Sequence, residues 1–284
     1  MRLSVRYNTV YRYTEPTRRV IQLLRLTPQS FAGQTVLDWR IDVDCDASLR
    51  QGRDGYGNIT HMLYVDRPIQ VLRISVAGRV LTENSAGVVQ GLTGDLPPQV
   101  YLRQTHLTSS GEALAWLASS LKEEGGTTLE MLHRLNAMLH GRLGFDTCAT
   151  VVETTAEQAF ATGHGVCQDF AHIFIAVSRL LGVPARYVSG HLFRRDGAHM
   201  QEAAHAWAEA YVEGLGWVGF DPTNGISADD AYVRVACGLD YREAAPFAGA
   251  RQGGGREALS VDVQVREAIA QSQAQSQAQA QSQN

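Results

Sequence analysis

A cysteine becomes a strong nucleophile when its thiolate is stabilised, as it is at a helix N-terminus beside an imidazolium. Cys167 stands where the sequence puts such a terminus. It follows Gly163-His164-Gly165 and precedes Phe170, Phe174, Val177 and Leu181. Those three- and four-residue steps mark a buried amphipathic helix that stops at Gly182 and Pro184. The amide of Cys167 would point outward there and help to hold an oxyanion. Taken alone, the same cysteine reads equally well as a small core residue. A second segment, Ala204 to Tyr211, alternates strictly, with alanines on one face and His205, Trp207, Glu209 and Tyr211 on the other. The alanine face suits close packing against a helix. Strand histidines are commonly structural, but the next strand ends in Trp217-Val218-Gly219-Phe220-Asp221-Pro222. If Glu213-Gly214-Leu215 is the hairpin loop, residue 207 lies opposite residue 221. His205 and Asp221 then share a face as diagonal neighbours roughly 7–8 Å apart. From there a carboxylate can hold one imidazole nitrogen and aim the other at a thiol. A loop one residue longer or shorter would put them on opposite faces.

These residues need a scaffold, and the chain divides into three stretches. Residues 1–95 read as short strands with turns between them. Arg2 to Tyr13 alternates, and Val36 to Cys45 sets Ile41, Val43 and Cys45 against Asp42, Asp44 and Asp46. Gly55-Tyr56-Gly57-Asn58 is a turn, and Val71 to Leu81 alternates again. Gly91 to Pro98 reads as a linker. From there to residue 250 the period turns helical. Ser109-Ser110-Gly111-Glu112 fits a capping box, Thr127 to Glu130 repeats the signal, and Thr154 with Glu157 opens a short third helix. The Cys167 helix follows, then strands at Ala185 to Leu192, Ala204 to Val212 and Trp217 to Phe220. The expected fold class is α+β, an antiparallel β-sandwich followed by helices packed on an antiparallel sheet. Residues 251–284, with Gly253 to Gly255 and a Gln-Ser-Ala tail, read as low complexity and disordered.

Three blocks, Gly165-Val166-Cys167-Gln168-Asp169-Phe170-Ala171-His172, Ala204-His205-Ala206-Trp207 and Phe220-Asp221-Pro222-Thr223-Asn224, resemble the bacterial transglutaminase-like superfamily. Gln22-Leu23-Leu24-Arg25-Leu26-Thr27-Pro28 and the Gly55 to Asn58 turn resemble the β domain that often precedes that core in bacteria. The resemblance covers roughly residues 1 to 245. It implies a papain-like core with Cys167, His205 and Asp221 as a catalytic triad, in a family of transglutaminases, cysteine peptidases, amidases and inactive members. Enzymes of that kind take a second oxyanion donor from a glutamine before the cysteine, and Gln158 is the nearest one here. Asp169 either binds substrate or favours the helix start. Trp207 either lines a substrate groove or belongs to the core.

Composition narrows the partners. A net charge of −4 and a pI near 6.1 weigh against a nucleic-acid or anionic-membrane surface. No apolar run is long enough to span a membrane, and the N-terminus has no signal-peptide pattern, which makes the cytoplasm the expected compartment. Cys45, Cys148, Cys167 and Cys237 lack the spacing of a disulfide framework or zinc site. Asp42, Asp44 and Asp46 imitate a calcium loop, but Ala47 and Arg53 stand where Gly and Glu are wanted. No cofactor is expected. The expected substrate is a peptide or protein amide, cleaved by a cysteine peptidase or amidase through a thioester. Transfer to an amine from a glutamine donor, and peptide binding without catalysis, are the alternatives.

Overall fold

The computed structural model describes residues 1–94 and 96–268. The first strand, β1 (Arg2–Thr27), organises the N-terminal half. Leu3, Val5, Tyr7, Thr9, Tyr11 and Tyr13 alternate into the core, as their period of two requires. β2 (Gln34–Val43), β3 (Ser48–Arg53), β4 (Ile59–Val65) and β5 (Ile69–Thr82) follow. β1 pairs antiparallel with β5 along its first half and with β4 along its second. The pairing breaks near Pro16, which has no N–H to give to a ladder. The strands of the expected sandwich are thereby joined into one curled sheet. At the end of β2 and in the bend after it, Ile41, Val43 and Cys45 are half-buried, while Asp42, Asp44 and Asp46 are exposed and ion-paired with Arg40, Arg73 and Arg67. The three aspartates are a solvated, ion-paired surface.

The helices are α1 (Glu112–Glu123), α2 (Thr128–Arg142), α3 (Ala156–Thr162) and α4 (Cys167–Leu180). α2 carries the expected capping box, Thr127 with Glu130. α1 does not. Its N-cap is Gly111, and the carboxylate of Glu157 on α3 accepts from the amides of Gly111, Ala113 and Leu114 instead. α3 is capped by Thr155 with Gln158 rather than by Thr154 with Glu157. One residue of displacement released Glu157 to cap its neighbour.

α4 lies buried against a second sheet of β6 (Ala185–Leu192), β7 (His205–Val212), β8 (Gly216–Asp221) and β9 (Tyr232–Gly238). Ala206, Ala208 and Ala210 of β7 share one core cluster with Phe170, Phe174 and Val177 of α4, so the small side chains bring strand and helix together. β9 is the edge of this sheet, and the N-terminal half closes it. The Asn58 side-chain amide exchanges two hydrogen bonds with the backbone of Cys237, at 2.7 and 2.8 Å, and Gln34 does the same for Arg234, at 2.9 and 2.8 Å. Unpaired edge groups are thus satisfied across the two halves. Arg25 donates to Asp54, which also holds the Asn58 turn. Both N-terminal motifs therefore act at this seam. Residues on either side of the expected linker contribute as well, since Val88–Val89 pairs with β8 and Tyr101 is buried against Trp217.

The expected end of structure at residue 251 is corrected. After α5 (Tyr241–Ala244), β10 (Phe247–Gly253) and β11 (Glu257–Glu267) return to the first sheet and pair along the second edge of β1. Val263 and Val265 enter its core. The Gln-rich stretch from residue 271 lies outside the described residues. A chain truncated after residue 255 loses both valines, which is roughly 3–6 kcal/mol of apolar burial. Thermal unfolding of the truncated protein should show a melting temperature lower by on the order of 10 °C. An unchanged melting temperature would show that β11 is dispensable.

Candidate active site

Cys167 is the first residue of α4, where the amides of the first turn have no partner within the helix. Asp169 builds this terminus. Its Oδ2 accepts from the amide of Val166 at 2.8 Å and from the hydroxyl of Thr150 at 2.6 Å. Gly165 is required here, because a Cβ would lie 2.6 Å from that same oxygen. Burial raises the Asp169 pKa, while its bonds to Thr150 and Val166 oppose the rise. Buried and doubly bonded, Asp169 shapes the helix start and is not open to a substrate.

His205 opens β7 and Asp221 closes β8. The hairpin register pairs Val212 with Gly216 and Ala208 with Phe220, which sets 207 opposite 221 as the loop length demanded. The His205 Nε2 lies 2.6 Å from Asp221 Oδ2. Its other ring nitrogen is left for Cys167, whose side chain lies close enough to favour the charged imidazole. Burial alone would lower the His205 pKa. The charge and hydrogen bond of Asp221, with the Cys167 contact, outweigh it and raise the value to about 10. Trp207 is buried and its ring lies 6.1 Å from the imidazole with planes 25° apart, so it backs His205 and does not line a groove.

Asp221 is fully buried, and its charge is met by donors on both oxygens. Besides His205, Oδ2 accepts from Asn224 Nδ2 at 2.6 Å and from the Tyr232 hydroxyl at 2.7 Å. Oδ1 accepts from the amides of Thr223 at 2.9 Å and Asn224 at 3.3 Å. Burial favours the protonated acid, but His205 and these hydrogen bonds hold the pKa below the ordinary carboxylate value. Tyr232 carried no signal in the sequence, since it comes from β9 and meets Asp221 only through the sheet. Asn224 could have been found, because an Asp followed by two turn residues commonly caps their amides.

Gln158 is engaged elsewhere. Its Oε1 accepts from the amide and hydroxyl of Thr155 at 3.0 and 3.1 Å, closing the cap of α3. Behind the site on β7, Glu209 is buried between two arginines. Arg186 Nε donates to it at 2.6 Å and Arg234 Nε at 2.7 Å. Burial pushes the Glu209 pKa up, but Arg234 and Arg186 bring it down to about 2. Among the described residues no group of three His, Cys, Asp or Glu side chains is arranged to hold a metal, and no helix is long and apolar enough to cross a membrane.

A model of the transglutaminase-like superfamily matches residues 116–222, and one of the bacterial transglutaminase-like N-terminal region matches residues 3–81. An uncharacterized protein of Mycobacterium leprae is 28% identical over 283 residues, covering 93% of this chain and 98% of its own length. One from Mycobacterium tuberculosis is 28% identical over 273 residues, 87% of each chain. A crystal structure from Cytophaga hutchinsonii, described as that of a candidate cysteine protease, matches with a TM-score of 0.77. That match has 20% identity and covers 95% of this chain and 91% of that one, a likeness of fold.

The charge of Asp221 is what keeps His205 protonated. Titrated by NMR, the His205 ring should stay charged through neutral pH and lose its proton only as pH rises through about 10. In Asp221→Asn the midpoint should drop toward the ordinary value of about 6.5. A midpoint that does not move would remove Asp221 from this role.

Proposed function

Because this chain is a transglutaminase-like superfamily member with the bacterial N-terminal region, we propose that it hydrolyses an amide bond through a covalent thioester on Cys167. The observation that carries this reading is the His205–Asp221 pair, 2.6 Å apart, beside Cys167 at the N-terminus of α4. The thiolate attacks the carbonyl carbon, a C–S bond forms, and the oxygen takes the negative charge beside the amide of Cys167. Collapse breaks the C–N bond, and His205 gives its proton to the departing nitrogen. Water then yields a proton to His205 and attacks the thioester, which releases the acid and restores the thiolate. Asp221 stays ionised throughout and holds the ring in place. We assign water as the acceptor because Cys167 is only partly buried and water needs no binding site of its own. The substrate is a peptide or protein amide, and no cofactor enters these steps.

Acyl-enzyme trapping on a panel of peptide amides tests the proposal. Wild-type protein should form a thioester and Cys167→Ala none. His205→Ala and Asp221→Asn should lower kcat/KM by at least about a hundredfold. Iodoacetamide should alkylate Cys167 faster in wild-type protein than in His205→Ala, because the neighbouring imidazole activates the thiol. Activity should persist above neutrality and decline as pH passes about 10, where His205 loses its proton. In an assay supplied with a primary amine, incorporation of that amine in place of acid release would replace the hydrolase with a transferase.

A further inference from the structure

The segment leading to α3 carries a group of outward apolar side chains beside the nucleophile. Gly144 and Phe145 pair in parallel with His164 and Gly165, and the amide of Asp146 donates to Gly165 O at 2.9 Å. Further on, Thr150 bonds Asp169, and Gln168 Nε2 donates to Val152 O at 3.2 Å. The segment is thereby fastened along residues 164 to 169, the stretch that delivers Cys167. Its apolar side chains nevertheless face solvent: Phe145 is 61% exposed, Val151 67% and Val152 49%. Single exposed apolar residues are ordinary. Three on one tethered segment, alongside a nucleophile, form a surface that a ligand would cover.

The chemistry says which part of a substrate covers it. His205 delivers its proton to the leaving nitrogen, so the amine side of the scissile bond lies toward β7 and β8. The acyl side then lies on the other flank of Cys167, and segment 144–154 is fastened to the residues before and after it, at Gly165, Gln168 and Asp169. We propose that Phe145, Val151 and Val152 form the acyl-side specificity surface and select substrates with a large aliphatic or aromatic side chain next to the scissile carbonyl. The exposed carboxylates of Asp146 and Glu153 flank the surface and disfavour an acidic side chain there. This inference rests on the acyl-transfer reading above.

The test compares fluorogenic peptide amides that differ only in the acyl-side residue, leucine or glycine. An apolar contact surface is worth roughly a 10- to 200-fold preference in kcat/KM, so leucine should be favoured by at least about tenfold. That ratio should fall toward one in Phe145→Ala and in Val151→Ser/Val152→Ser. Iodoacetamide labelling of Cys167 in both variants should match wild type, which shows that the helix terminus is intact. Equal turnover of the two substrates by wild-type protein overturns this inference alone, as does a preference that follows the leaving amine. Failure of wild-type protein to form any thioester overturns the acyl-transfer reading beneath it.

Discussion

A carboxylate shut away from water and yet charged is the constraint around which this core is arranged. Burial of Asp221 favours the neutral acid, which would hold an imidazole but could not keep it protonated. The structure answers with donors from three places. The turn after β8 gives two amides and the Asn224 side chain, β9 gives the Tyr232 hydroxyl, and β7 gives His205 itself. β8 must therefore end at Asp221, the next residues must turn back at once, and β9 must lie close enough for a tyrosine to reach across. The site depends on three strands and one turn meeting at a single pair of oxygens.

The two halves of the chain are tied by the same requirement. β9 supplies Tyr232 but is the edge of its sheet, and an edge strand with unpaired groups frays. Asn58 and Gln34 from the N-terminal half complete its hydrogen bonding at Cys237 and Arg234. The N-terminal sheet thus holds the strand that holds the carboxylate that holds the histidine. Its own first strand is flanked on the second edge by β10 and β11, from the far end of the sequence. Neither half is closed without the other.

What could be read from the residues alone follows from how local each feature is. The β7–β8 register was legible because a three-residue loop and a period of two leave little freedom, and the alanine face of β7 announced a helix packed on it. The cap of α1 was not, since its carboxylate is Glu157 on another helix. The return of β11 was masked for a different reason. Val261, Val263 and Val265 do alternate, but three glycines before them and a polar tail after them pulled the composition of the whole stretch toward disorder. Tyr232 is eleven residues from Asp221 and joins it only once β9 and β8 are placed in one sheet.

Glu209 bears on how firmly that placement is specified. It lies on the same face of β7 as His205 and Trp207, opposite the alanines. A slip of one residue would turn it toward α4, where Ala206, Ala208 and Ala210 now pack on aromatic and aliphatic side chains. A buried glutamate without a partner costs several kcal/mol, whereas in the observed register it meets Arg186 and Arg234. Those arginines come from β6 and β9, so one carboxylate fixes the alignment of three strands. A buried ion triad gains little over apolar packing as a source of stability. Its contribution here is selective, because it penalises a slip of β7 that would turn His205 away from Asp221.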